Sequence, residues 1–146
     1  MTISLEVRRA PDLKAYLFRR RIYLYRIWGQ AEFREPRGWS QTHLAIVDTG
    51  APYSVIPAFL WKTLAMEPLF KTPLQGIAPG RRATVDALLA RVSGRIRDTK
   101  NRTRAFPIYA MLANSDHVPL ILGWSGLLDR SKLVADAPRN KAWLEF

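Results

Sequence analysis

The sequence contains no cysteine and only two histidines, His43 and His117, among its 146 residues. A chain without thiols forms no disulfide framework and has no thiolate nucleophile. Dedicated zinc sites are built mainly from cysteine and histidine, so we expect no metal site and no cofactor. Long apolar runs are missing too. The longest one, VPLILGW, has about a third of the ~20 residues that a membrane-spanning helix needs.

A secretory signal is also missing from the first residues, MTISLEVRRAPDLK, which carry charges where such a signal has an apolar centre. Together with the lack of cysteine, this predicts a cytoplasmic protein without a membrane span. The length suits one compact domain over residues 1–146, and the chain shows no repeat and no linker.

Acidic residues are scarce, with 12 against 23 basic ones and a net charge of +11. Residues 1–40 carry a net +5 and residues 81–104 a net +6, whereas 41–80 and 105–146 are each neutral. A basic excess is typical of proteins that bind nucleic acid or anionic membranes. It is equally typical of a solvated basic surface, which is the reading that we favour.

Most of the chain has the composition of β-strands. HLAIVD is apolar without alternation, which predicts a strand buried on both faces. PAFLWKTLAM predicts a short helix with Pro57 at its first position, and SGLLDR predicts another with Ser125 as N-cap. The remaining predicted strands are ISLEV, one or two within KAYLFRRRIYLYRIWGQ, SVIP, ATVDALLARVSGRI, TRAFPIYAML, HVPLILG, and a closing hairpin of KLVAD and KAWLEF.

The predicted strand HLAIVD ends in Asp48, which is followed by Thr49 and Gly50. A carboxylate at the end of a buried strand is costly unless it is used. Thr49 can hydrogen-bond locally, and Gly50 lets the backbone approach another element closely. An Asp-Thr-Gly alone is equally typical of a strand-ending turn, so its surroundings decide its meaning.

The stretch AIVDTGAPYSVIP resembles the active-site loop of retropepsin-like aspartic proteases, in which two apolar residues precede Asp-Thr/Ser-Gly-Ala. LQGIAPG lies where that family has its flap, and VPLILGWSGLL is similar to its apolar-apolar-Gly segment and short helix. KAWLEF is placed like the last strand, which pairs across the dimer. The resemblance covers residues 41–146 and leaves 1–40 as N-terminal strands or an extension. It implies an all-β fold, a closed barrel with one or two short helices.

The resemblance also implies a homodimer, because one Asp-Thr-Gly per chain supplies half of a two-aspartate site. Asp48 from each protomer would meet its copy at ~3 Å, where the two carboxylates share a proton and activate a water against a peptide bond. Thr49 would join the two loops across the axis. The other implied site residues are Gly50 and Ala51 in the loop, Gly76, Ile77, Ala78 and Gly80 in the flap, and Leu122 and Gly123 in support.

The sequence departs from the viral family members at three positions. Pro52 and Trp124 stand where those members often have a paired acidic residue and arginine, and Pro79 lies in the flap segment. The preferred hypothesis is an aspartic endopeptidase that cleaves peptide or protein substrates. The alternatives are a catalytically weak or inactive dimeric binding module of the same fold and, less favoured, a basic β protein that associates with nucleic acid.

Overall fold

A computed structural model describes residues 1–75 and 84–146, and within these ranges the chain forms eleven β-strands and two short α-helices. The prediction of a mostly β fold with short helices is confirmed. The elements are β1 (Thr2–Pro11), α1 (Leu13–Leu17), β2 (Tyr23–Glu35), β3 (Gly38–Trp39), β4 (His43–Val47), β5 (Ser54–Ile56), α2 (Ala58–Trp61), β6 (Met66–Gln75), β7 (Thr84–Arg97), β8 (Phe106–Ala113), β9 (Ile121–Leu122), β10 (Lys132–Asp136) and β11 (Lys141–Glu145), with 3₁₀ turns at Leu128–Arg130 and Ala137–Arg139.

The strands form one continuous set of pairings in the order β10-β11-β1-β2-β4-β9-β5-β8-β7-β6, with β3 attached to β2. β7 also pairs with β2, from Gln30↔Arg97 to Phe33↔Gly94. The pairings therefore lead from β2 through β4, β9, β5, β8 and β7 back to β2. Two of them are parallel, β4 with β9 and β5 with β8. These two parallel pairs lie next to each other around β9.

The main core lies on the inward face of these strands. Alternate residues of β1 and β2, such as Ile3, Ala31 and Phe33, are fully buried there. A second, smaller apolar cluster consists of buried residues from β5, β7, β8 and β9 together with Val118, and Ile46 of β4 packs against it. Within 1–75 and 84–146, neither helix is long or apolar enough to pass through a bilayer.

A charged cluster joins β2 to β7 where the pairings return to β2. Glu32 is only 5% exposed and accepts hydrogen bonds from Arg95 Nε at 2.5 Å, Arg97 at 3.1 Å and Thr42 Oγ1 at 2.9 Å. The Arg95 guanidinium also stacks over Trp39, at 4.0 Å from the ring centre. Burial alone would raise the pKa of Glu32, but these three donors outweigh it and leave the pKa below its ordinary value.

Because the pKa of Glu32 is lowered on folding, its ion pairs stabilise the protein above pH 4.5 and this contribution disappears as the pH falls through the folded-state pKa. We expect Glu32→Gln to lower the free energy of unfolding by about 2 kcal/mol at pH 7. The difference from wild type should shrink in acid. Urea denaturation at pH 7 and at lower pH measures both effects.

The matched control is Glu67→Gln, which breaks the exposed ion pair of Glu67 with Arg91, 3.4 Å long. Exposed pairs contribute between about 0 and 1 kcal/mol, so this variant should unfold almost like wild type. Equal destabilisation by the two substitutions would contradict the importance of the buried cluster.

Three local predictions are wrong in part. The strand expected within 14–30 is preceded by α1, since Asp12 accepts hydrogen bonds from the Lys14 and Ala15 amides and starts a helical turn. The helix predicted from Pro57 is one turn long, with Pro57 as N-cap, because the chain enters β6 at Met66.

The second short helix is a 3₁₀ turn that begins after Leu127, and Ser125 is not its N-cap. The Ser125 amide instead donates to the carbonyl of Pro52 at 3.0 Å. Its backbone is therefore engaged with the loop that follows Asp48.

Burial on both faces of β4 is also only partly correct. Ala45 and Val47 point into the main core, and Ile46 packs partly against the second cluster, but Leu44 is 40% exposed. The strand is covered on both faces only near its Asp48 end. Apolar character alone predicted more burial than the neighbouring strands supply.

The last strand, β11, pairs within its own chain. It lies between β1 and β10, with registers that run from Thr2↔Glu145 and from Lys132↔Glu145. Both of its hydrogen-bonding edges are occupied. The expectation that this strand pairs across a dimer is therefore wrong, because residues 2–6 supply the neighbour that a partner would otherwise provide.

Candidate functional site

Asp48 lies where β4 ends beside its parallel neighbour β9. Val47 is in register with Leu122, and the Asp48 amide donates to the Leu122 carbonyl at 3.0 Å. Leu122 is fully buried, which fixes this end of the ladder in the main core. The half-buried Asp48 is thus held by its backbone at the carboxyl end of a parallel strand pair.

The loop after Asp48 is turned by the aspartate itself. Asp48 Oδ1 accepts the Gly50 amide at 2.8 Å, and the Asp48 carbonyl accepts the Ala51 amide at 3.3 Å. Among the described residues, Gly50 provides the only hydrogen bond to this carboxylate. Thr49 and Gly50 are exposed. The second carboxylate oxygen is therefore available to a group from outside this part of the chain.

Gly123 allows the loop to approach β9 closely. A Cβ at this position would lie 2.6 Å from the Tyr53 carbonyl oxygen and would also collide with the carbonyl of Ala51. The Gly123 amide donates to Ser54 Oγ, which is fully buried, at 3.1 Å. The following amide, that of Trp124, donates to the Ala51 carbonyl at 2.9 Å. These contacts fix the loop along residues 51–54.

Trp124 makes a further contact that the sequence did not predict. Its indole Nε1 donates to the Thr49 carbonyl at 2.6 Å, although the side chain is 46% exposed. The sequence showed only that an aromatic residue replaces the arginine of viral proteases. No local pattern could have indicated that an indole N–H reaches a carbonyl 75 residues away.

A cleft of about 340 Å³ opens next to this loop. Asp48 and Thr49 form one side of it, and strand β2 forms the other. The complete lining is Tyr25, Arg26, Ile27, Ile46, Val47, Asp48, Thr49 and Leu133. The second apolar cluster borders the loop from another direction, where Ala51, Leu74 and Val85 pack partly buried against it. Asp48 thus lies between two partly apolar surfaces.

The structure brings the predicted site residues Asp48, Thr49, Gly50 and Ala51 together with Leu122 and Gly123, and their roles stay predictions. The predicted flap residues lie outside the described residues. They are Gly76, Ile77, Ala78 and Gly80. The strands that lead to and from them, β6 and β7, are antiparallel neighbours down to the pair Gln75↔Thr84.

Two further residues of types found in active sites, Asp98 and His43, lie away from Asp48. Asp98, the second aspartate followed by threonine, accepts the amides of Ser4, Lys100 and Asn101 at 2.6 to 2.8 Å. Burial would raise its pKa, but these amides keep the pKa lowered. His43 begins β4, at the end of the strand opposite to Asp48, and burial lowers its pKa. Within the two described ranges, no three potential metal ligands cluster together.

We expect Gly123→Ala to displace the Asp48 loop, because the added methyl group meets two backbone carbonyls rather than movable side chains. Overpacking of this kind costs about 1–3 kcal/mol of unfolding free energy. Urea denaturation measures the loss, and amide chemical shifts should change mainly over residues 48–54.

The matched control is Gly29→Ala, where the added methyl group meets only the Leu5 and Val47 side chains, at 3.1 and 3.5 Å. Side chains can move aside, so this variant should lose less stability. If Gly123→Ala leaves both stability and the loop resonances unchanged, the close approach is not needed to hold Asp48.

No protein-family model, no curated protein and no solved structure matches this chain. The resemblance to retropepsin-like proteases therefore rests on its motif residues, and family membership stays a prediction.

Proposed function

We propose that the protein is an aspartic endopeptidase of the retropepsin-like type, active as a homodimer. The observation that carries the proposal is the placement of Asp48. Its backbone is fixed to Leu122 and its Oδ1 to the Gly50 amide, while the loop that bears it stays exposed. A carboxylate held in this way is oriented for use rather than neutralised by a basic partner.

The loop around Asp48 is exposed, in this proposal, because one protomer carries only half of the two-aspartate site. Among the described residues, no second carboxylate shares the Asp48 loop, and the Thr49 hydroxyl makes no hydrogen bond. A two-fold axis beside Asp48 would supply both partners, since a self-complementary contact brings each residue of the loop to its own copy. The exposed Thr49 would then bond across the axis, as the resemblance implies.

In the proposed mechanism, one Asp48 carboxylate is ionised and its copy is protonated. The ionised member takes a proton from a water held between them, and the water oxygen attacks the carbonyl carbon of the scissile peptide. The protonated member donates a hydrogen bond to the carbonyl oxygen as it gains charge. Collapse of the tetrahedral intermediate breaks the C–N bond, and the leaving nitrogen receives a proton from the dyad.

We also propose that the strands form a closed barrel. It is supported by the pairings that lead from β2 through five further strands and back through β7. The antiparallel pairing of β6 with β7 down to Gln75↔Thr84 supports the flap assignment, because the predicted flap residues lie between these two strands in the sequence. Ala51 of the loop and Leu74 and Val85 of these strands pack, partly buried, against the same apolar cluster, which would favour apolar substrate side chains here.

A dimeric binding module of the same fold remains the second candidate, because Trp124 occupies the position of the arginine found in viral proteases. The indole N–H keeps the loop in place, but it supplies no charge. Nucleic-acid binding is less favoured, since two aromatic rings near the N-terminus are covered by the protein's own arginines. Arg8 lies over Trp28 at 5.3 Å, and Arg9 lies over Tyr23 at 4.6 Å.

We expect Asp48→Asn to abolish peptide cleavage while leaving the fold and the dimer intact. General acid–base catalysis contributes about 10²–10⁴-fold, so kcat should fall by at least roughly 10². Wild-type activity should be greatest in mild acid, where one carboxylate of the pair is protonated. Cleavage of a mixed peptide library across about pH 3.5–7.5, a range wide enough to bracket such a dyad, measures both effects.

Asp98→Asn is the control, because Asp98 lies in a turn between β7 and β8 and not at the site. It should keep wild-type kcat. Full activity of the Asp48→Asn protein would contradict the proposal. No cleavage by a wild-type protein that light scattering shows to be dimeric would favour the binding module.

Trp124→Phe removes the indole N–H to Thr49 and keeps an aromatic ring. Since the side chain is half exposed, stability should change by less than about 1 kcal/mol. We expect kcat to fall by roughly ten- to a hundredfold because the Asp48 loop is less well positioned. Unchanged KM and an unchanged dimer would identify Trp124 as a positioning residue, whereas unchanged kcat would show that the contact is dispensable.

A further inference from the structure

The chain has an N-terminal arm, residues 8–26, in which no residue is buried by the rest of the protomer. It consists of the ends of β1 and β2, which pair from Arg8↔Arg26 to Pro11↔Tyr23, and of α1 between them. No side chain from residue 8 to residue 26 is buried. A two-stranded ribbon of this kind is marginally stable by itself in water. The arm is therefore a surface that needs a partner.

The arm exposes an unusual amount of apolar surface. Eight large apolar or aromatic side chains are between 44% and 81% exposed, namely Leu13, Tyr16, Leu17, Phe18, Ile22, Tyr23, Leu24 and Tyr25. At 150–250 Å² for an aromatic side chain, they offer on the order of 800 Å². A stable protein–protein interface buries about 800 Å² per partner. The arm alone could supply that area.

One face of the arm continues the face of the sheet that is buried in the core. Val7 and Ile27 are directly paired, and both pack against the main core. The next residues on the same face are Tyr25 and then Tyr23, since every second residue of a strand points to the same side. These two tyrosines are 49% and 44% exposed. The core face therefore continues into the arm, where Tyr25 and Tyr23 are about half exposed and Arg9 lies over the Tyr23 ring.

The arm also points past the Asp48 loop. β2 is antiparallel to β4, with Ile27 opposite Val47, so the register places Arg26 and Tyr25 beyond the end of β4. Both of these residues line the cleft that Asp48 and Thr49 border. A two-fold axis at Asp48 would place a second protomer on that side. The arm would then extend toward this second copy.

We propose that the arm is the dimerisation element and that its apolar side chains dock on a second copy of this chain. This inference rests on the proposed function, which places Asp48 at the two-fold axis. The occupied edges of β11 support it, because the terminal strand is engaged within its own chain and leaves the dimer in need of another contact. Tyr25 and Arg26 would thus lie at the junction of the two protomers, next to both Asp48 loops.

The basic charge of the arm suggests two other binding partners, which the experiment must distinguish from a second copy of the chain. The arm carries seven basic residues and one acidic residue, Asp12. An anionic lipid bilayer or a nucleic acid would be attracted by this charge. We favour a second copy because β2 carries exposed tyrosines of the arm, continues the face that is buried in the core and lines the cleft at Asp48. Only the dimer relates all three to the same site.

The test compares wild type with the double variant Leu17→Asp and Phe18→Asp by sedimentation equilibrium. The two side chains are 81% and 72% exposed, so their replacement leaves the core of the protomer intact. Aspartate at both positions removes apolar surface from the proposed interface and places charge there, and we expect the dimer dissociation constant to rise at least roughly a hundredfold. The control is Phe59→Asp on α2, where the side chain is 59% exposed, and it should dimerise like wild type.

Two further measurements identify the occupant. Wild type should not bind vesicles of phosphatidylcholine with phosphatidylserine, nor a single-stranded oligonucleotide, any better than the double variant does. A wild-type monomer, an unchanged dissociation constant in the double variant, or arm-dependent binding to either anionic probe would overturn the inference.

Dimerisation is measured without a substrate, so the two proposals can fail separately. An arm-dependent dimer that cleaves no peptide would retain the inference and contradict the protease. Peptide cleavage by a dimer that survives the double substitution would do the reverse.

Discussion

The close approach of the loop 51–54 to β9 is the constraint on which the candidate site depends. It requires Gly123, since any Cβ there meets backbone carbonyls, and it is fixed by the buried hydroxyl of Ser54. The parallel pairing of β4 with β9 then fixes the Asp48 backbone. Trp124 completes the contact from the far side of the loop. A single aspartate is thus oriented by four neighbours that the sequence places in two segments about 70 residues apart.

No basic residue among those described hydrogen-bonds to the Asp48 carboxylate, although Arg26 lines the cleft beside it. Where β7 returns to β2, Glu32 accepts hydrogen bonds from Arg95 and Arg97, which places part of the basic excess in the fold itself. Buried ion pairs of this kind require every partner to be satisfied, and Thr42 supplies a third donor. Other basic residues lie on the arm. The lack of a basic hydrogen-bond partner agrees with the proposed role of Asp48 in proton transfer.

Local chemistry predicted those parts of the structure that depend on a few adjacent residues. The strand before Asp48, the turn at Gly50 and the final hairpin follow from apolar patterns and turn residues, and the structure contains all three. Contacts between distant segments had no such signal. Two such contacts are the hydrogen bond from the Trp124 indole to Thr49 and the pairing of β11 with β1. Both depend on strand register, which cannot be read from a single sequence. The one-turn α1 was missed because its signal is a single capping residue, Asp12.

The arm and the half-complete site have the same physical explanation if the protein acts as a dimer. In a single protomer, residues 8–26 expose apolar side chains to water, which is unfavourable. A lone Asp48 also cannot both accept and donate a proton in one step. Each defect disappears when a second copy lies beyond the end of β4. A membrane or a nucleic acid would cover the arm and leave Asp48 without its partner, and a dimer built on other surfaces would leave the arm exposed. The proposed two-fold arrangement would cover the arm and supply the second aspartate through one contact, because β2 carries the arm past the loop that holds Asp48.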